Sequence, residues 1–460
     1  MSVAAPTLAR ELATIVGTPH VRPPSALYLS DETESRGLHG HAELVVFPGT
    51  AEEVRSVVAC CYESGVPIVP RGGGTGFAGG AVPVDGGIVL SLERLDRVRQ
   101  FDPLLWRVQV EAGIATAELR RIVRESGLMF PPDPGAAESS QIGGNIATNA
   151  GGPHAFKYGV TGAWVLGLEA VVPPGELIQV GGPIRKDVAG YDLKSLLIGS
   201  EGTLAILTAA WLKLIPAPEA ALPILALYAD VESGISALEA VLGNGLAVAA
   251  LEYLDGRSMA ASAGALPLPL PPDTAFAVLV DVDGSETEAA ALAAAARGVL
   301  AEGALALHVP NQPAAIKQLW RWRDGVSIGV TAQRGGKVSE DIVVPVDRLG
   351  EALTGASEIA RRRGLESCSW GHAGDGNLHA TFLIDPSDNR ELARAAEAAQ
   401  ELFALALELG GSVSGEHGIG VVKRGQLARQ WTPRAVTLHE AVKDAFDPKN
   451  LLNPGKKLAR

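Results

Sequence analysis

The chain has 460 residues, of which 47% are apolar and 20% are charged, so it has enough apolar residues for a sizeable core and disorder is not expected. Its formal net charge of −13 disfavours nucleic acids and anionic membrane surfaces as partners, because both require a basic face. The three cysteines, Cys60, Cys61 and Cys368, have no disulfide or metal-ligand spacing, which is typical of a reducing compartment. We expect neither a signal peptide nor a membrane span, and we expect a cytoplasmic location, with a peripheral position at the inner face of the membrane as the alternative.

The first 130 residues alternate between helix and strand patterns. A helix is predicted at Leu8–Val16, and Thr50 with Glu53 fits a capping box that opens a second helix towards Glu63. A third helix, Ala117–Glu125, is closed by Gly127. The strand candidates between them are Glu43–Phe47, Ile68–Val69, Ile88–Ser91 and Trp106–Val110.

A glycine-rich stretch, Pro70–Pro83, stands between two of these strands and contains six glycines in fourteen residues. A backbone without Cβ atoms can turn successive N–H groups inward and bind phosphate. Gly74, Gly76 and Gly79 match G-x-G-x-x-G, but a dinucleotide fingerprint needs a helix at the glycines, and proline and glycine follow as far as Gly87. We therefore predict a loop-only phosphate cradle, with a plain surface loop as the alternative.

A second glycine-rich stretch, Gln141–Gly152, carries Asn and Thr donors and is predicted as a loop. Two such loops suggest one extended ligand held at several points, although both would also serve as simple turns. Further elements are expected at Val165–Val172, Glu176–Val180 and Asp192–Leu197, and strands continue to Ile215. Pro216 and Pro218 mark a boundary.

These glycine stretches, together with Lys186–Ile206, resemble the FAD domain of the vanillyl-alcohol-oxidase-type flavoproteins. Within that superfamily the chain resembles the D-2-hydroxyacid dehydrogenases, which include D-lactate and D-2-hydroxyglutarate dehydrogenases and the FAD subunit of glycolate oxidase. The resemblance runs from about Leu44 to Lys456. It implies an α+β fold with a two-subdomain FAD-binding domain (41–220), an antiparallel-sheet substrate or cap domain (221–415) and a C-terminal segment (416–460) that returns to the FAD domain, after an N-terminal segment (1–40).

The resemblance also implies the cofactor and its contacts. Some members attach flavin through a histidine in the cradle; Thr75 stands at that place here, so non-covalent FAD is expected. The pyrophosphate would lie on Arg71–Gly76. The expected contact residues are Pro70, Arg71, Gly72, Gly73, Gly74, Thr75, Gly76, Pro132, Asp133, Ser139, Gly143, Asn145, Thr148, Ile206 and Asn453.

The middle of the chain alternates strands and helices, and this pattern alone would permit a parallel α/β sheet. The resemblance implies an antiparallel sheet instead, and we follow it. The strand candidates are Ile224–Tyr228, Ala247–Glu252, Phe276–Val282, Leu305–Val309 and Asp341–Val344, and the helices include Val231–Leu242, Ser285–Ala301 and Arg348–Arg363.

Two short motifs supply candidate metal ligands. Asp375-Gly376 is a two-residue hairpin signal, and such a turn would place His372 directly opposite His379, with Cβ atoms about 5 Å apart. Glu416 is the third candidate, and two histidines with one carboxylate leave positions open on zinc, manganese or iron. His417 would then be the general base. The resemblance implies the same four roles, and the alternative is ordinary core or surface histidines.

Arg323 and Lys337 fall in the regions where the family binds the substrate carboxylate, and Asn377 is available near the metal; the alternative for the two cations is plain surface residues. Relatives commonly have Asn two residues after the second histidine, where this chain has Thr381. This departure weakens any transfer of fine substrate specificity.

The predicted function is metal-assisted oxidation of a D-2-hydroxy acid, such as D-lactate, D-2-hydroxyglutarate or glycolate, to the 2-oxo acid, with hydride passing to flavin N5. One alternative is an FAD enzyme resembling the alkyl-dihydroxyacetone-phosphate synthases of ether-lipid formation, and another is an electron-relay subunit of a glycolate oxidase complex. Because no cysteine cluster could hold iron–sulfur, electrons must pass to a quinone, a cytochrome, an electron-transfer flavoprotein or oxygen. A homodimer and a complex with an iron–sulfur subunit are both compatible with the sequence.

Overall fold

The computed structural model describes residues 5–33 and 36–458, and the chain folds into two compact units. The first unit contains the chain up to Gly151, then Val160–Ala217, and the chain from Glu416 onward. The second contains Gly152–Gly159 and Pro218–Gly415. Over the described ranges, no helix combines the length and the apolar character that crossing a membrane would require.

The strands are numbered in chain order, and β1 to β11 belong to the first unit. They are β1 Val21–Arg22, β2 Leu44–Val46, β3 Ile68–Arg71, β4 Ile88–Ser91, β5 Val98–Asp102, β6 Arg107–Glu111, β7 Leu128–Met129, β8 Val165–Val172, β9 Glu176–Gly181, β10 Ile206–Lys213 and β11 Ile215–Pro216. The second unit contains β12 Ala220–Tyr228, β13 Ala250–Asp255, β14 Phe276–Gly284, β15 Ala306–His308, β16 Gly336–Val343, β17 Glu366–Gly371 and β18 Asn377–Ile384.

The helices are numbered in the same way. Those before the second sheet are α1 Ala5–Val16, α2 Ala26–Leu29, α3 Ala51–Ser64, α4 Thr116–Arg124, α5 Ile142–Thr148, α6 Ala155–Tyr158 and α7 Leu193–Leu197. The remaining helices are α8 Val231–Gly243, α9 Gly256–Ser262, α10 Glu286–Leu300, α11 Pro313–Arg334, α12 Leu349–Arg363, α13 Asn389–Glu408, α14 Leu427–Gln430 and α15 Pro433–Phe446.

A small sheet of order β1-β2-β4-β3 delivers the chain into the first glycine stretch. Strands β2 and β3 both run parallel to β4, and helix α3 makes the crossover between them. Thr50 is the N-cap of helix α3, and its side chain accepts the N–H of Glu53 as predicted. The Glu53 carboxylate accepts the N–H of Gly49 at 2.7 Å, where a complete capping box would use the N–H of Thr50.

The larger sheet of the first unit has the order β5-β6-β10-β8-β9 and is antiparallel throughout. The C-terminal segment returns to the small sheet, where Leu452 forms a parallel bridge with Ile68. The N–H of Asn453 donates to the carbonyl of Ile68 at 2.8 Å, which fixes the final turn beside the strand that opens the glycine cradle.

The sheet of the second unit has the order β15-β12-β14-β13-β17-β18-β16, and every pair is antiparallel. This confirms the antiparallel expectation over the parallel one. Helix α11 covers part of one face with an apolar stripe at helical spacing, and each of its large buried side chains stabilises the fold by about 1.5–3 kcal/mol. The stripe consists of Leu319, Trp322, Val326 and Val330, all at most 1% exposed.

The prediction of a loop over Gln141–Gly152 is wrong in its centre, where the chain forms helix α5. Glycine disfavours helix locally, but here it permits close packing. A Cβ built on Gly143 would lie 2.7 Å from the Cβ of Ala112, so the helix can approach that segment only without a side chain. Tertiary packing therefore outweighs the local propensity.

Candidate active site

The two glycine-rich stretches meet in the first unit. A Cβ built on Gly73 would lie 2.0 Å from the carbonyl oxygen of Ser139, and one on Gly72 would lie 3.6 Å from the Cα of Gly144. Gly74 has φ +73°, a conformation that glycine adopts without strain. No helix opens in Pro70–Pro83, in agreement with the prediction of a loop-only cradle.

Several features of this region fit an extended polar ligand such as FAD. A Cβ built on Gly144 would have no described atom within 4 Å, so the first turn of α5 presents bare backbone to open space. The side-chain oxygens of Gln141 and Asn453 are buried and have no hydrogen-bond partner among the described residues. The Asn453 amide nitrogen donates to the carbonyls of Gly80 and Glu201 at 2.8 and 2.7 Å, which aims its oxygen away from both. Unpaired buried acceptors of this kind fit a ligand that brings N–H or O–H donors.

The other predicted cofactor residues differ in how they are held. Arg71 is buried and donates to the carbonyl of Ser30 at 2.8 Å, and burial lowers its pKa. Asn145 donates to Thr116 at 2.7 Å, and Thr148 donates to the carbonyl of Gly144 at 3.1 Å. Ile206 begins β10 and is 1% exposed. The remaining positions, Pro70, Thr75, Gly76, Pro132 and Asp133, lie in or beside the two stretches, and their contacts with FAD stay predictions.

The two histidines of the second unit are neighbours, but not through the predicted register. In the β17–β18 hairpin His379 is paired with Trp370, and His372 lies just beyond the end of β17. The prediction of a two-residue turn at Asp375-Gly376 is therefore wrong, because a short 3₁₀ turn at Ala373–Asp375 lengthens the loop. The imidazole rings still approach, with centroids 5.4 Å apart and planes at 88°.

The strand register places three polar residues of this unit on one face of the sheet. His379 is paired with Asp341 on β16 and with Trp370 on β17, and directly paired residues project from the same face. Trp370 is paired with Leu254, so Glu252, two residues earlier on β13, also projects from that face. Glu252, Asp341 and His379, on three different strands, thus project from the same face of the sheet.

The Glu252 carboxylate contacts both a predicted metal ligand, His372, and a cation predicted to bind the substrate, Arg323. Its side chain is fully buried; one carboxylate oxygen lies 2.6 Å from Nδ1 of His372, and the other accepts Nε–H of Arg323 at 2.7 Å. Burial alone would raise the pKa of Glu252, but the charges and hydrogen bonds of Arg323 and His372 outweigh it and lower the pKa to about 2. Glu252 is therefore a carboxylate at neutral pH, and it leaves Nε2 of His372 directed elsewhere.

Glu416 follows directly on a segment that is anchored to Asp341. The Asp341 carboxylate accepts the N–H of Gly415 at 2.9 Å and the hydroxyl of Ser414 at 2.8 Å. A Cβ built on Gly151 would lie 2.6 Å from a carboxylate oxygen of Glu416, so any larger residue at position 151 would clash with this glutamate. The backbone and the side chain of the third predicted ligand are thus both constrained.

His372, His379 and Glu416 each offer one ligand atom, and these atoms all lie within 4.8 Å of one another. Both histidines are buried, and the glutamate is half-buried. Two imidazole nitrogens and one carboxylate oxygen fit a divalent transition metal and leave coordination positions for other ligands. The residues predicted as ligands therefore come together as a candidate metal site.

His417 is held by an aromatic contact and a locked backbone. Its ring stacks on Phe77 with centroids 4.6 Å apart, and its Nε2 lies 4.0 Å from the Glu416 carboxylate. The carboxylate of Glu201 accepts the N–H groups of Ile419 and Gly420 at 2.9 and 2.7 Å. These bonds fix the backbone immediately after His417, as a positioned general base requires.

The remaining predicted substrate residues are engaged within the second unit. Lys337 donates to the carbonyl of Ser327 at 3.0 Å, and its Nζ lies 5.6 Å from the ring centroid of Trp370. The Asn377 amide nitrogen donates to Asp341 and to the carbonyl of Ile342, at 2.5 and 3.0 Å. Its oxygen has no partner among the described residues, so it can still accept a bond from a ligand.

Thr381, the position where relatives commonly have Asn, is fully buried. Its hydroxyl lies 2.7 Å from that of Ser339 on the neighbouring strand, so the two hydroxyls satisfy each other. This side chain is committed to a cross-strand pair, and it gives no support to a specificity carried over from relatives with Asn.

Glu252, Glu201 and Asp341 were not identified as site residues from the sequence. Glu252 and Asp341 lie in no glycine-rich or histidine-bearing motif, whereas Glu201 lies between Gly199 and Gly202 in the stretch Lys186–Ile206 that carries the resemblance. A signal existed for Glu252, because it is the one charged residue in the apolar run Ala247–Leu254, and a buried charge requires a partner. No pattern in the sequence names that partner.

Comparison with known proteins identifies the family. Residues 42–181 match the "FAD binding domain" model, and residues 217–457 match "FAD linked oxidases, C-terminal domain". The chain is 35% identical to the glycolate oxidase subunit GlcD of Bacillus subtilis, over 91% of this chain and 89% of that protein. It is 36% identical to a D-lactate dehydrogenase of Archaeoglobus fulgidus, over 97% of this chain and 98% of that one.

Among solved structures, p-cresol methylhydroxylase with substrate bound is similar with a TM-score of 0.81, at 18% identity over 99% of this chain and 97% of that one. At that identity the likeness shows the fold alone, which is the vanillyl-alcohol-oxidase-type flavoprotein fold with an antiparallel-sheet C-terminal domain. The extent of both family matches and the identity to the two relatives decide the membership. The chain belongs to the FAD-linked oxidase family, as an FAD-dependent oxidoreductase of the group that contains D-lactate dehydrogenases and glycolate oxidase subunits.

Proposed function

We propose that this protein oxidises a D-2-hydroxy acid of the lactate, 2-hydroxyglutarate or glycolate class to the corresponding 2-oxo acid. The observation that carries the proposal is the convergence of His372, His379 and Glu416 in a member of the FAD-linked oxidases. The two relatives named above carry the names of glycolate and D-lactate enzymes, and both substrates are 2-hydroxy acids. A hydroxyl and a carboxylate on adjacent carbons are suited to binding one metal ion together.

When bound, FAD supplies a hydride acceptor, and a divalent metal at His372, His379 and Glu416 supplies a Lewis acid that lowers the pKa of the substrate hydroxyl. His417 accepts the hydroxyl proton, and its contact with Phe77 restricts the plane of the imidazole. The α-hydrogen leaves the substrate as hydride, for which FAD supplies the acceptor, and the carbinol carbon becomes a carbonyl.

Arg323 and Lys337 supply positive charge for the substrate carboxylate. Arg323 donates Nε–H to Glu252, and one Nη forms an ion pair with the same carboxylate without a hydrogen bond, so guanidinium donors remain for an anion. Because its side chain is only 9% exposed, that charge is weakly screened. The Asn377 NH₂ group is already used, so this side chain offers a ligand only its oxygen, an acceptor that suits the substrate hydroxyl better than the carboxylate.

We further propose that FAD is bound non-covalently, since Thr75 has no side chain that attaches flavin. The cysteines are not placed to form an iron–sulfur site: Cys61 and Cys368 are buried, and burial raises the pKa of all three thiols. Electrons from reduced flavin therefore leave to a quinone, a cytochrome, an electron-transfer flavoprotein or oxygen, either directly or through a partner subunit.

Anaerobic reduction of the flavin tests the proposal. Metal-loaded, FAD-loaded protein is mixed with D-lactate, D-2-hydroxyglutarate or glycolate, and the flavin absorbance is followed, with L-lactate as the stereochemical control. We expect at least one of the three to bleach the flavin, and prior removal of the metal with a chelator to slow the bleaching. If none of the three bleaches the loaded protein, the proposal is wrong.

His417→Ala separates the alternatives. Loss of a general base should slow bleaching by about 10²–10⁴-fold. The matched control is His308→Ala, which removes a histidine from the edge strand β15. A pure electron relay would be indifferent to the His417 variant, and an ether-lipid synthase would show no acceptor-dependent turnover of hydroxy acids.

A further inference from the structure

One buried carboxylate is shared between two groups with different predicted tasks. Glu252 accepts from Nδ1 of His372 with one oxygen and from Nε of Arg323 with the other, at 2.6 and 2.7 Å. All three side chains are at least nine-tenths buried. No water can substitute easily for either bond, so the two groups depend on the same carboxylate.

The bond to His372 fixes which imidazole nitrogen can bind a metal. Since a carboxylate accepts and does not donate, Nδ1 of His372 must carry the proton, and Nε2 then presents its lone pair. An acceptor behind a ligating histidine orients the ring and increases the basicity of the ligand nitrogen.

The bond to Arg323 sets a second requirement on the same group. A guanidinium donates and never accepts, so Glu252 must offer an acceptor on that side as well. A carboxylate satisfies both neighbours because it has two oxygens. Its charge also offsets that of Arg323, which a buried cation needs.

We infer that Glu252 is a positioning residue that orients His372 for metal binding and Arg323 for anion binding through one two-sided carboxylate. The inference rests on the proposed function, because it takes His372 as a metal ligand. It adds a residue that neither the motifs nor the family comparison assigns. It also predicts that the two neighbours compete when only one acceptor remains.

Glu252→Gln exposes that competition. Glutamine has one oxygen and one NH₂ group, so it can satisfy His372 or Arg323 but not both. If the oxygen faces Arg323, the NH₂ group faces Nδ1 of His372 and drives the proton to Nε2, which then cannot bind a metal. We expect the affinity for Zn²⁺ and Mn²⁺, measured by competition with a chromophoric chelator, to fall by about 10–100-fold.

The double variant Glu252→Gln, Arg323→Met tests whether His372 and Arg323 compete for one acceptor. With the guanidinium removed, the glutamine oxygen is free to turn to His372, and the neutral pair leaves no buried charge. We expect metal affinity to return to within about threefold of the parent protein, which a merely structural role of Glu252 would not predict. The absorption spectrum of the Co²⁺-loaded protein should change in the single variant and recover in the double variant.

Asp255→Asn is the matched control, since Asp255 is a half-buried carboxylate on the same strand. It accepts the N–H groups of Ser258 and Ser369 and contacts neither of the two predicted site residues. It should leave the Zn²⁺ affinity unchanged. Glu252→Asp serves if the glutamine variant does not fold: the shorter side chain keeps the charge but cannot reach both neighbours, so affinity should again fall by about tenfold or more.

The outcomes separate this inference from the proposed function. If the parent protein does not bind Zn²⁺ or Mn²⁺ at micromolar concentration, the proposed metal site itself is wrong. If the parent binds and Glu252→Gln binds equally well, only the positioning role is wrong. A double variant that binds no better than the single variant also overturns the inference, because the shared-acceptor argument then fails.

Discussion

Replacing Glu201 with glutamine tests whether one buried carboxylate holds the backbone that follows His417. Glu201 is 7% exposed and accepts two backbone N–H groups, from Ile419 at 2.9 Å and Gly420 at 2.7 Å. Its own φ is +56°, but glutamine has the same backbone preferences, so the substitution isolates the side chain. Glutamine offers one oxygen where the carboxylate offers two, and one buried N–H must then face an NH₂ group.

A hydrogen bond to a charged group contributes about 1.5–3 kcal/mol, and a buried donor left without an acceptor costs about 1–3 kcal/mol. We therefore expect Glu201→Gln to lower the free energy of unfolding of the first unit by about 3 kcal/mol. For a unit of this size, about 2–4 °C per kcal/mol converts this to a fall of roughly 6–12 °C in the unfolding temperature.

Release of FAD on heating, followed by flavin fluorescence, measures the unfolding of that unit, and bleaching by substrate measures the position of His417. Glu176→Gln is the control, because Glu176 is exposed on β9. We expect the control to melt with the parent protein and Glu201→Gln to melt lower and to bleach more slowly. Melting of Glu201→Gln within about 1 °C of the control would refute the reasoning.

Three further predictions follow from single residues. The methyl group of Gly144→Ala would meet no described atom, so this variant should stay folded as apoprotein but bind FAD more weakly in a calorimetric titration. Gly73→Ala would bring a Cβ to 2.0 Å from a backbone carbonyl, so it should reduce the yield of soluble protein. Asp341→Asn should weaken Zn²⁺ binding by severalfold in a chelator competition, because it loosens the anchored segment before Glu416, and unchanged affinity would contradict this. Burial lowers the pKa of Lys456 to about 8, so the unfolded chain binds the proton more tightly than the folded one. Lys456→Met should therefore stabilise the apoprotein by up to about 3 kcal/mol at pH 7, and this gain should shrink as the pH rises from 8 to 10.5. A gain in thermal stability that does not change with pH would contradict this prediction.

Local patterns in the sequence predicted most of the elements that carry the site. The helix after Thr50, the strand Ile88–Ser91 and the loop-only cradle all match the structure. Each of these depends on forces within a few residues, such as capping, alternating apolar positions, or the effect of glycine and proline on φ. The helix at Ile142–Thr148 was missed because its two glycines disfavour helix locally, and only the close approach to Ala112 explains the first of them, Gly143.

The hairpin separates what a turn motif determines from what it leaves open. Asp375-Gly376 correctly indicated a chain reversal between His372 and His379, and the rings do approach. The register was wrong by two residues, since His379 is paired with Trp370 and not with His372. A 3₁₀ turn and a tight two-residue turn both reverse the chain, and the choice between them depends on how the whole sheet packs.

The sequence by itself determined the residue types of the predicted site: glycines that would admit a ligand to the backbone, two histidines and a glutamate that fit a metal, and a histidine beside them. Only the tertiary structure decided that Glu252 joins His372 and Arg323, which lie 120 and 71 positions further along the chain. The physical reason is that strand order and register set which distant side chains share a face. Those depend on burial summed over the whole sheet and leave no local pattern in the sequence.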